Sequence, residues 1–379
     1  MNAPYTMPKT CLIYVSAIVF ILAAFNSYGT TAWKSTSSGD WTLVANWTNN
    51  PPSVGPQLAI YPGTATLQKS ITLGGSIGRE TLGMQFTLTA GGVGYTFTGL
   101  PAVSGFFALA GGSVNGIVNN DDSTQTFNVP IKLMANGGLP GPGAAMTWNA
   151  AAGSMVFNGN NTAPATPWTI NLNGASALTI DGAFNVSVGT SGPGQIVNTE
   201  AGPTGIVKNG TGTLYLGGTA ANTFSGVNML NAGKITAGKA NALGAGNALI
   251  MGGGTFETGG FSQTLGTLDL DGLATLDFGS GASAVSFANS SSLDWGSAAL
   301  TIFNWTDGTD TLRFGTDSTG LNAFQLSKLS FDDIEGFDHA EIDSNGYILL
   351  VIPEPSATAM IGLGLSLFLF ARRKSLRES

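Results

Sequence analysis

The chain has 379 residues and a formal net charge of −8. Only 9% of its residues are charged, against about 25% in typical globular proteins. With 43% hydrophobic residues and 21 Phe, it does not match intrinsically disordered chains, which combine low hydrophobicity with high net charge. The acidic balance argues against nucleic acid and anionic membrane surfaces as partners. The single cysteine, Cys11, excludes an intramolecular disulfide framework and a Cys₄ zinc site.

The N-terminal segment has the order of a secretory signal peptide. Lys9 precedes a mostly apolar stretch over 11–25, and small or polar residues follow up to Ala32. We predict a signal peptide over residues 1–32, with cleavage after Ala32 because a small side chain is needed there. An uncleaved N-terminal anchor is the alternative. Since Cys11 leaves with the signal peptide, the exported chain offers no cysteine nucleophile.

Tryptophans mark the first exported region, residues 33–99. Trp41 and Trp47 lie shortly before the pair Pro51-Pro52. We interpret the region as an N-terminal cap and the first β coils, with its tryptophans buried. A carbohydrate-binding platform is the alternative, because exposed tryptophan faces stack on sugars, and it makes Trp41 and Trp47 the candidate glycan contacts.

The body of the chain alternates short apolar runs with Gly, Asn and Asp. The runs are rich in Val, Ile, Leu, Phe and Thr and predict strands at 67–73, 84–88, 95–97, 177–180, 213–216 and 265–270. Asn-Gly turn pairs recur at 115–116, 136–137, 158–159, 173–174 and 209–210. Helical periodicity is confined to the two apolar ends. The pattern predicts an all-β fold, either a solenoid of stacked coils over 100–299 or a sandwich with many hairpins.

One stretch of the body, residues 205–244, carries a more specific pattern. It contains GIVKNGTGTLYLG, NTFSG, LNAGKITAG and NALG in that order. The stretch resembles the autotransporter-associated β-strand repeat, and residues 33–62 resemble the tryptophan-containing opening found ahead of such repeats. The resemblance implies a right-handed parallel β-helix. In such a fold, residues two apart, such as Leu214 and Leu216, face one side and stack on the next coil, while Gly and Asn form the corners.

Residues 300–351 carry most of the late acidic residues and predict an acidic C-terminal cap, because the end of a solenoid must be covered by something polar. The only histidine of the chain, His339, lies in this cap. A Ser-His-Asp site could use it in principle, but no G-x-S-x-G turn accompanies it. We interpret His339 as a loop histidine in an acidic surface.

Paired acidic residues are the other candidates for catalysis, since parallel β-helices also host polysaccharide lyases and hydrolases. Asp121 and Asp122 are the best candidates for a glycosidase pair, yet adjacent residues of a strand point to opposite faces. Asp269 and Asp271 share a face, but the exported body holds only two arginines to support them. The prediction is therefore a non-enzymatic protein without a cofactor.

Calcium binding is a further alternative. Asp307-Gly308-Thr309-Asp310 and Asp332-Asp333 could supply oxygen ligands. Neither fits the EF-hand loop or the glycine- and aspartate-rich β-helix repeat, so we predict a solvated acidic surface and no specific metal site.

The C-terminal segment, residues 352–379, carries the most specific signal of the chain. Pro353-Glu354-Pro355 precedes an apolar run over 357–371, which we predict to be a short transmembrane helix. About 15 helical residues rise about 22 Å, less than a bilayer core of about 30 Å, so this helix is a marginal anchor. The residues expected to stay cytoplasmic as a membrane stop are Arg372, Arg373 and Lys374.

These elements, in this order, resemble the PEP-CTERM sorting signal of exopolysaccharide-producing bacteria. The resemblance implies recognition by an exosortase, a membrane-embedded cysteine transpeptidase, with cleavage near Pro353, Glu354 and Pro355. It also implies transfer to the cell surface or the extracellular matrix. The two prolines are expected to keep the scissile region extended, because each restricts its own backbone and that of the preceding residue.

The sequence as a whole predicts an exported structural or adhesive protein of the cell surface or an exopolysaccharide matrix. Its precursor is expected to be held in the membrane by the C-terminal helix, with an exosortase-type transpeptidase as one partner and exopolysaccharide or surface glycans as others. Nucleic acid is not an expected partner. A carbohydrate-binding surface module is the first alternative, and an extracellular polysaccharide lyase or hydrolase on a β-helix is the second.

Overall fold

A computed structural model describes residues 29–34, 38–52, 57–62, 69–73, 79–87, 92–99, 106–110, 116–134, 145–159, 168–175, 177–200 and 202–353. Within these residues the chain is nearly all β, and its long sheets consist of parallel strands. Parallel pairing of strands from successive passes of the chain is the arrangement of a β-helix, so the all-β solenoid class predicted from the sequence agrees with the fold. The hairpin sandwich does not, because a two-residue turn can only join antiparallel strands.

The first side of the solenoid is a sheet of ten described strands. In spatial order they are β1 (Gly29–Ala32), β3 (Gln57–Pro62), β6 (Gly83–Thr87), β9 (Ile117–Asn119), β12 (Met146–Ala150), β15 (Ala177–Gly182), β18 (Gly205–Lys208), β20 (Asn228–Leu230), β22 (Leu249–Met251) and β25 (Leu268–Leu270).

The second side is a sheet of twelve described strands and is the longest in the molecule as described. Its strands are β2 (Gly39–Asp40), β4 (Lys69–Leu73), β7 (Tyr95–Gly99), β10 (Gln125–Asn128), β13 (Met155–Phe157), β16 (Val186–Val188), β19 (Thr213–Leu216), β21 (Lys234–Ala237), β23 (Thr255–Glu257), β26 (Leu273–Asp277), β28 (Ala299–Phe303) and β30 (Leu329–Phe331).

The third side is less regular, and its described strands form two separate parallel sheets. The first holds β5 (Arg79–Thr81), β8 (Phe107–Ala110), β11 (Ile131–Met134), β14 (Ile170–Asn171) and β17 (Ile196–Val197). The second holds β24 (Gln263–Thr264), β27 (Ala284–Phe287) and β29 (Thr311–Phe314). Between β17 and β24 this side is made of turns, and backbone hydrogen bonds such as Thr223 N–H to the Ile196 carbonyl (3.0 Å) still join successive coils.

Coils are shortest between β17 and β24 and lengthen again toward the C-terminal end. A hydrogen bond between coils joins Ser70 to Ser38, which are 32 residues apart. Further along, a hydrogen bond between side chains of neighbouring coils joins Thr236 to Glu257, which are 21 residues apart. The shorter spacing falls where the third side loses its strand, since a coil that replaces a strand by a turn needs fewer residues.

The core lies inside the solenoid and is built from alternate strand residues. In β19, Leu214 and Leu216 are each 1% exposed and pair with Ile235 and Ala237 of the next coil, as their spacing predicts. The corner between β20 and β21 depends on Gly233, which has φ +71° and whose added Cβ would lie 2.3 Å from the Gly210 carbonyl oxygen. A side chain at this corner would be strained in its backbone and would collide with the coil below.

In the N-terminal half of the solenoid, aromatic rings stack from one coil to the next. Phe97, Phe127 and Phe157 occupy matching positions of β7, β10 and β13. Their ring centroids are 4.9 Å and 4.8 Å apart, with interplanar angles of 5° and 8°. We call these three residues the phenylalanine ladder; parallel in-register pairing places identical side chains directly above one another, so the rings stack.

The N-terminal end of the described solenoid is filled by tryptophans. Trp33, Trp41 and Trp47 are at most 2% exposed, and Trp41 and Trp47 meet edge to face at a centroid distance of 4.7 Å. A 3-10 turn at Val44–Asn46 carries the chain back so that Trp47 pairs with Trp33. These contacts close the N-terminal coil over its aromatic core.

The C-terminal end breaks the parallel pattern. β28 and β30 still extend the twelve-stranded sheet beyond residue 300, where the predicted acidic cap begins. A short helix, α1 (Ala323–Leu326), follows β29 and is capped by reciprocal hydrogen bonds between Asn322 and Gln325. The last two strands, β31 (His339–Ile342) and β32 (Ile348–Val351), form an antiparallel pair.

No helix in the part of the chain that the structure describes is long and apolar enough to cross a membrane. The predicted N-terminal signal helix and the predicted transmembrane helix over 357–371 both lie outside the described residues.

Candidate functional site

The sorting segment directly follows the last strand of the solenoid. The Val351 carbonyl of β32 accepts a hydrogen bond from Asp338 N–H at 3.0 Å. Ile352 and Pro353, the next two residues, are exposed. Glu354, Pro355 and the basic residues Arg372, Arg373 and Lys374 lie outside the described residues. The described part therefore presents the start of the sorting motif at the surface, immediately beyond a paired strand.

At the other end, β1 overlaps the predicted signal peptide. Its residues pair with β3, and the Ala32 carbonyl accepts from Thr48 N–H at 2.8 Å. Ala32 N–H donates to Thr48 Oγ1 at 2.9 Å, and the Asn49 side chain donates to the Thr30 carbonyl at 3.0 Å. Cleavage after Ala32 would remove this strand and expose the edge of β3. The predicted cleavage position, after Ala32, thus falls at the end of β1, and it stays a prediction.

A form of the protein that begins at Trp33 should be less stable than a form that begins at Thr30. The expected loss in free energy of unfolding is roughly 2–4 kcal/mol, since each of the lost hydrogen bonds contributes roughly 0.5–1.5 kcal/mol. Urea denaturation of the two forms measures it. Equal midpoints would show that β1 does not stabilise the fold. Cleavage after Ala32 would then leave a solenoid of unchanged stability.

Trp41 and Trp47 do not present ring faces to solvent. Trp41 is fully buried, and its indole N–H donates to the Pro52 carbonyl at 3.3 Å. Trp47 is 1% exposed and donates to the Trp41 carbonyl at 2.8 Å. Trp47 borders a shallow depression, but at 1% exposure it leaves no face on which a sugar could stack. The placement matches a buried cap and does not support these two residues as glycan contacts.

His339 lies on the surface of the acidic C-terminal end. Its Nδ1 is 2.7 Å from Asp338 Oδ2, and its Nε2 is 3.5 Å from Glu341 Oε1. The hydrogen bond with Asp338 and the charge of both carboxylates raise the pKa of His339. Both ring nitrogens face carboxylates, so this arrangement favours the imidazolium. No serine stands next to His339 in the described contacts, and the geometry is that of a surface ion pair.

The first member of each acidic pair singled out in the sequence accepts a hydrogen bond from a nearby backbone N–H. Asp121 is 3% exposed, and its carboxylate accepts from Ser123 N–H at 2.8 Å, while Asp122 lies in the exposed turn beside it. Asp269 accepts from Leu270 N–H at 3.0 Å, and partial burial together with the charge of Asp271 raises the pKa of Asp269. The carboxylates of Asp121 and Asp269 are therefore both hydrogen-bonded to backbone N–H groups of residues that follow them in the chain.

The two segments proposed as calcium ligands are also tied to backbone groups. Asp310 is 4% exposed and accepts from Ser283 N–H at 2.8 Å and Thr306 N–H at 2.7 Å. Asp333 accepts from Asn304 N–H. Among the described residues, no group of three or more His, Cys, Asp or Glu could hold a metal ion. These carboxylates join one coil to the next.

Two of the three buried lysines among the described residues, Lys239 and Lys208, join neighbouring coils, and the sequence patterns did not single them out. The Lys239 ammonium donates to the Gly194 carbonyl (2.8 Å), the Ala220 carbonyl (2.9 Å) and Asn222 Oδ1 (2.8 Å), so one side chain joins three successive coils. Lys208 is 1% exposed and donates to carbonyls of the next corner. Burial lowers the pKa of each lysine to about 8. A lysine inside a glycine-rich corner, as in AGKANALG, is the sequence signal that could have indicated this role.

The lowered lysine pKa values predict that the protein becomes more stable as pH rises from 8 to about 9.5. In this window the unfolded lysines, with pKa near 10.4, still bind protons that Lys208 and Lys239 have lost in the folded state, so raising the pH favours folding. Above about 10 the tyrosines of the unfolded chain ionise and oppose the trend. Melting temperatures across this range measure the effect, and Lys239→Met should reduce the slope. A flat profile in the parent protein would contradict the burial argument.

Comparisons with known proteins identify only the C-terminal segment. Residues 351–374 match the PEP-CTERM protein-sorting motif. No curated protein matches the chain, and no solved structure does. The autotransporter-type repeat therefore remains a resemblance of residues 205–244, and the right-handed sense of the β-helix remains a prediction. The PEP-CTERM motif is a signal for processing by an exosortase, a membrane enzyme, and it identifies this chain as an exported protein that is sorted through the membrane to the cell surface.

Proposed function

We propose that this chain is a non-enzymatic structural or adhesive protein of the cell surface or of an exopolysaccharide matrix. Its C-terminal segment serves the exosortase, and the β-solenoid is the part that remains outside the cell. The observation that carries the proposal is the sorting motif at 351–374, which begins where the paired strand β32 ends. Processing near Pro353 would leave the whole described solenoid intact.

The solenoid has the properties of a spacer. The strands of each coil pair only with strands of the neighbouring coils, so each added coil lengthens the solenoid. A continuous core of aliphatic and aromatic residues runs from Trp33 to Ile348. Such a body holds its two ends apart, and it offers a long lateral surface to other matrix components.

The roles of the acidic residues support a non-enzymatic protein. A retaining or inverting glycosidase needs two carboxyl groups that both face the scissile bond. In the described structure, the carboxylates of Asp121 and Asp310 accept hydrogen bonds from backbone N–H groups, while Asp122 lies on an exposed turn. We therefore propose the structural role in preference to a lyase or hydrolase activity.

A carbohydrate-binding surface module remains the second candidate. Its original basis, exposed rings at Trp41 and Trp47, is not supported by their burial. A different aromatic residue, Tyr215, lines a depression on the solenoid surface, and this observation keeps the candidate in place.

Deletion of the gene in the producing bacterium tests the structural role. We expect the matrix to lose cohesion, measured by the shear needed to disperse the cells, and the full-length gene to restore it. A gene lacking residues 352–379 is the matched control and should not restore it, because its product is not retained at the surface. If the purified protein instead releases reducing or unsaturated ends from the exopolysaccharide, the enzymatic alternative replaces this proposal.

A further inference from the structure

An open trough lies on the outer surface at the corner between the twelve-stranded sheet and the third side. Its volume is about 750 Å³. This size falls within the roughly 300–1,000 Å³ of small-molecule sites. The residues of this Tyr215 trough come from two successive coils, and they are Gly189, Thr190, Ser191, Gly192, Pro193, Tyr215, Gly218, Thr219 and Ala220.

Tyr215 is the aromatic wall of the trough, and its ring packs against two glycines. It points outward from β19, between the buried Leu214 and Leu216. A Cβ added to Gly217 would lie 2.4 Å from Tyr215 Cε1, and one added to Gly238 would lie 2.4 Å from Tyr215 Cζ. The ring therefore lies directly against the backbone of both glycines. A side chain at either position would displace the ring from this place.

The Tyr215 hydroxyl has no hydrogen-bond partner within the described coils. Thr190 is oriented by donating from its hydroxyl to Asn158 Oδ1 at 2.9 Å, and Ser191 N–H donates to the same oxygen at 3.1 Å. The turn at Thr190 and Ser191 is thus held by Asn158 of the preceding coil, while the Tyr215 hydroxyl stays free to bond a ligand. An aromatic ring with a polar tip suits a partner that has both C–H faces and hydroxyl groups.

The lining carries no charge. Its polar side chains are the hydroxyls of Thr190, Ser191, Thr219 and Tyr215, and the rest of the wall is Gly, Pro and Ala. A charged ligand would find no countercharge here, and the net charge of −8 repels acidic polysaccharides. A neutral sugar needs none, because its hydroxyls exchange hydrogen bonds with hydroxyls and peptide groups.

We propose that the Tyr215 trough binds a neutral glycan chain, with one sugar ring stacked on the exposed side of Tyr215. The turn of residues 189–193 and the turn of residues 218–220 contact the neighbouring sugars through hydroxyl and peptide groups. This inference rests on the proposed function, since it names the matrix component that the solenoid contacts.

Isothermal titration of the full-length chain in detergent tests the proposal. The probes are three neutral hexasaccharides (cellohexaose, xylohexaose and mannohexaose), with hexagalacturonate as the acidic control. We expect at least one neutral probe to bind, and Tyr215→Ala to weaken it at least about tenfold. Tyr215→Leu, which still covers the two glycines, should weaken binding to a similar extent because it offers no flat ring. Tyr347→Ala removes another partly exposed tyrosine far along the chain and should leave binding unchanged.

Melting curves verify that each variant is folded. Binding that is equal in the parent protein and both Tyr215 variants would overturn the proposal, and so would the failure of all three neutral probes or a preference for hexagalacturonate. Because the assay uses purified full-length chain, its outcome does not depend on sorting. A negative titration together with normal surface delivery would reject the trough alone, whereas failed delivery would reject the proposed function.

Discussion

Phe127→Ala is expected to destabilise the solenoid by about 3–5 kcal/mol, the range found for removing a buried phenylalanine ring. Phe127 is fully buried at the centre of the phenylalanine ladder, and it stacks on Phe97 at 4.9 Å and Phe157 at 4.8 Å. Truncation removes its own buried area and leaves a cavity between two rings that belong to separate coils. Those coils are held by strands, so they cannot collapse into the gap.

Urea denaturation followed by circular dichroism measures the loss. Phe184→Ala is the matched control, because Phe184 is 44% exposed on a turn, and its loss should stay within about 0.5 kcal/mol. Phe127→Leu keeps most of the volume and should cost less than Phe127→Ala. If Phe127→Ala cost no more than Phe184→Ala, the stacked core described here would be wrong.

Replacement of the sorting motif by alanine, with Pro353→Ala, Glu354→Ala and Pro355→Ala combined, should abolish delivery of processed protein to the surface. The full-length precursor should accumulate in the membrane fraction, because the sorting enzyme no longer recognises the segment that begins after β32. The alanines also free the backbone that the prolines restrict, and they favour a helix continuous with the apolar run over 357–371. Immunoblots of membrane, surface and medium fractions measure the change.

Glu335→Ala is the control for this experiment. Glu335 is an exposed acidic residue of the same C-terminal region, so its removal changes the charge by the same amount outside the motif. We expect normal delivery of this variant. Surface delivery of the triple variant at the parent level would show that the motif is not the sorting signal in this protein.

Local structure in the body could be predicted because each strand carries its own pattern. The alternation at Leu214 and Leu216 indicated both the strand Thr213–Leu216 and its buried face. Predicted strands at 84–88 and 177–180 fall on β6 and β15, within a residue or two at their ends. In each case, side chains two apart decide which face is buried, and this information lies within a few residues.

Register between coils could not be predicted in the same way. Phe97, Phe127 and Phe157 stack only because the turns between them have lengths that bring the three rings into line. The three rings recur at one interval in the sequence, but the glycine- and asparagine-rich turns between them do not show which strands lie side by side. The split of the third side into two sheets has the same origin, since turns replace a strand between β17 and β24.

The candidate sites also differ in whether a short stretch of sequence contains all of their residues. The sorting motif is contiguous, so the sequence indicates it completely, and the comparison confirms it over residues 351–374. The Lys239 contacts join carbonyls that are 19 and 45 residues away in the chain, and the Tyr215 trough joins two coils. Such sites depend on which coil lies above which. Trp41 and Trp47 show the reverse case, because a tryptophan in an isolated segment carries no sign of whether its face will be covered.

The intact mass of the protein recovered from the surface of the producing cells tests the central claim most directly. The account predicts a chain that ends near Pro353 to Pro355, after β32, and that has lost the basic residues Arg372, Arg373 and Lys374. A chain that keeps the segment Arg372–Ser379 in the surface, membrane and medium fractions alike would contradict it, and the protein would then be a plain membrane-anchored solenoid.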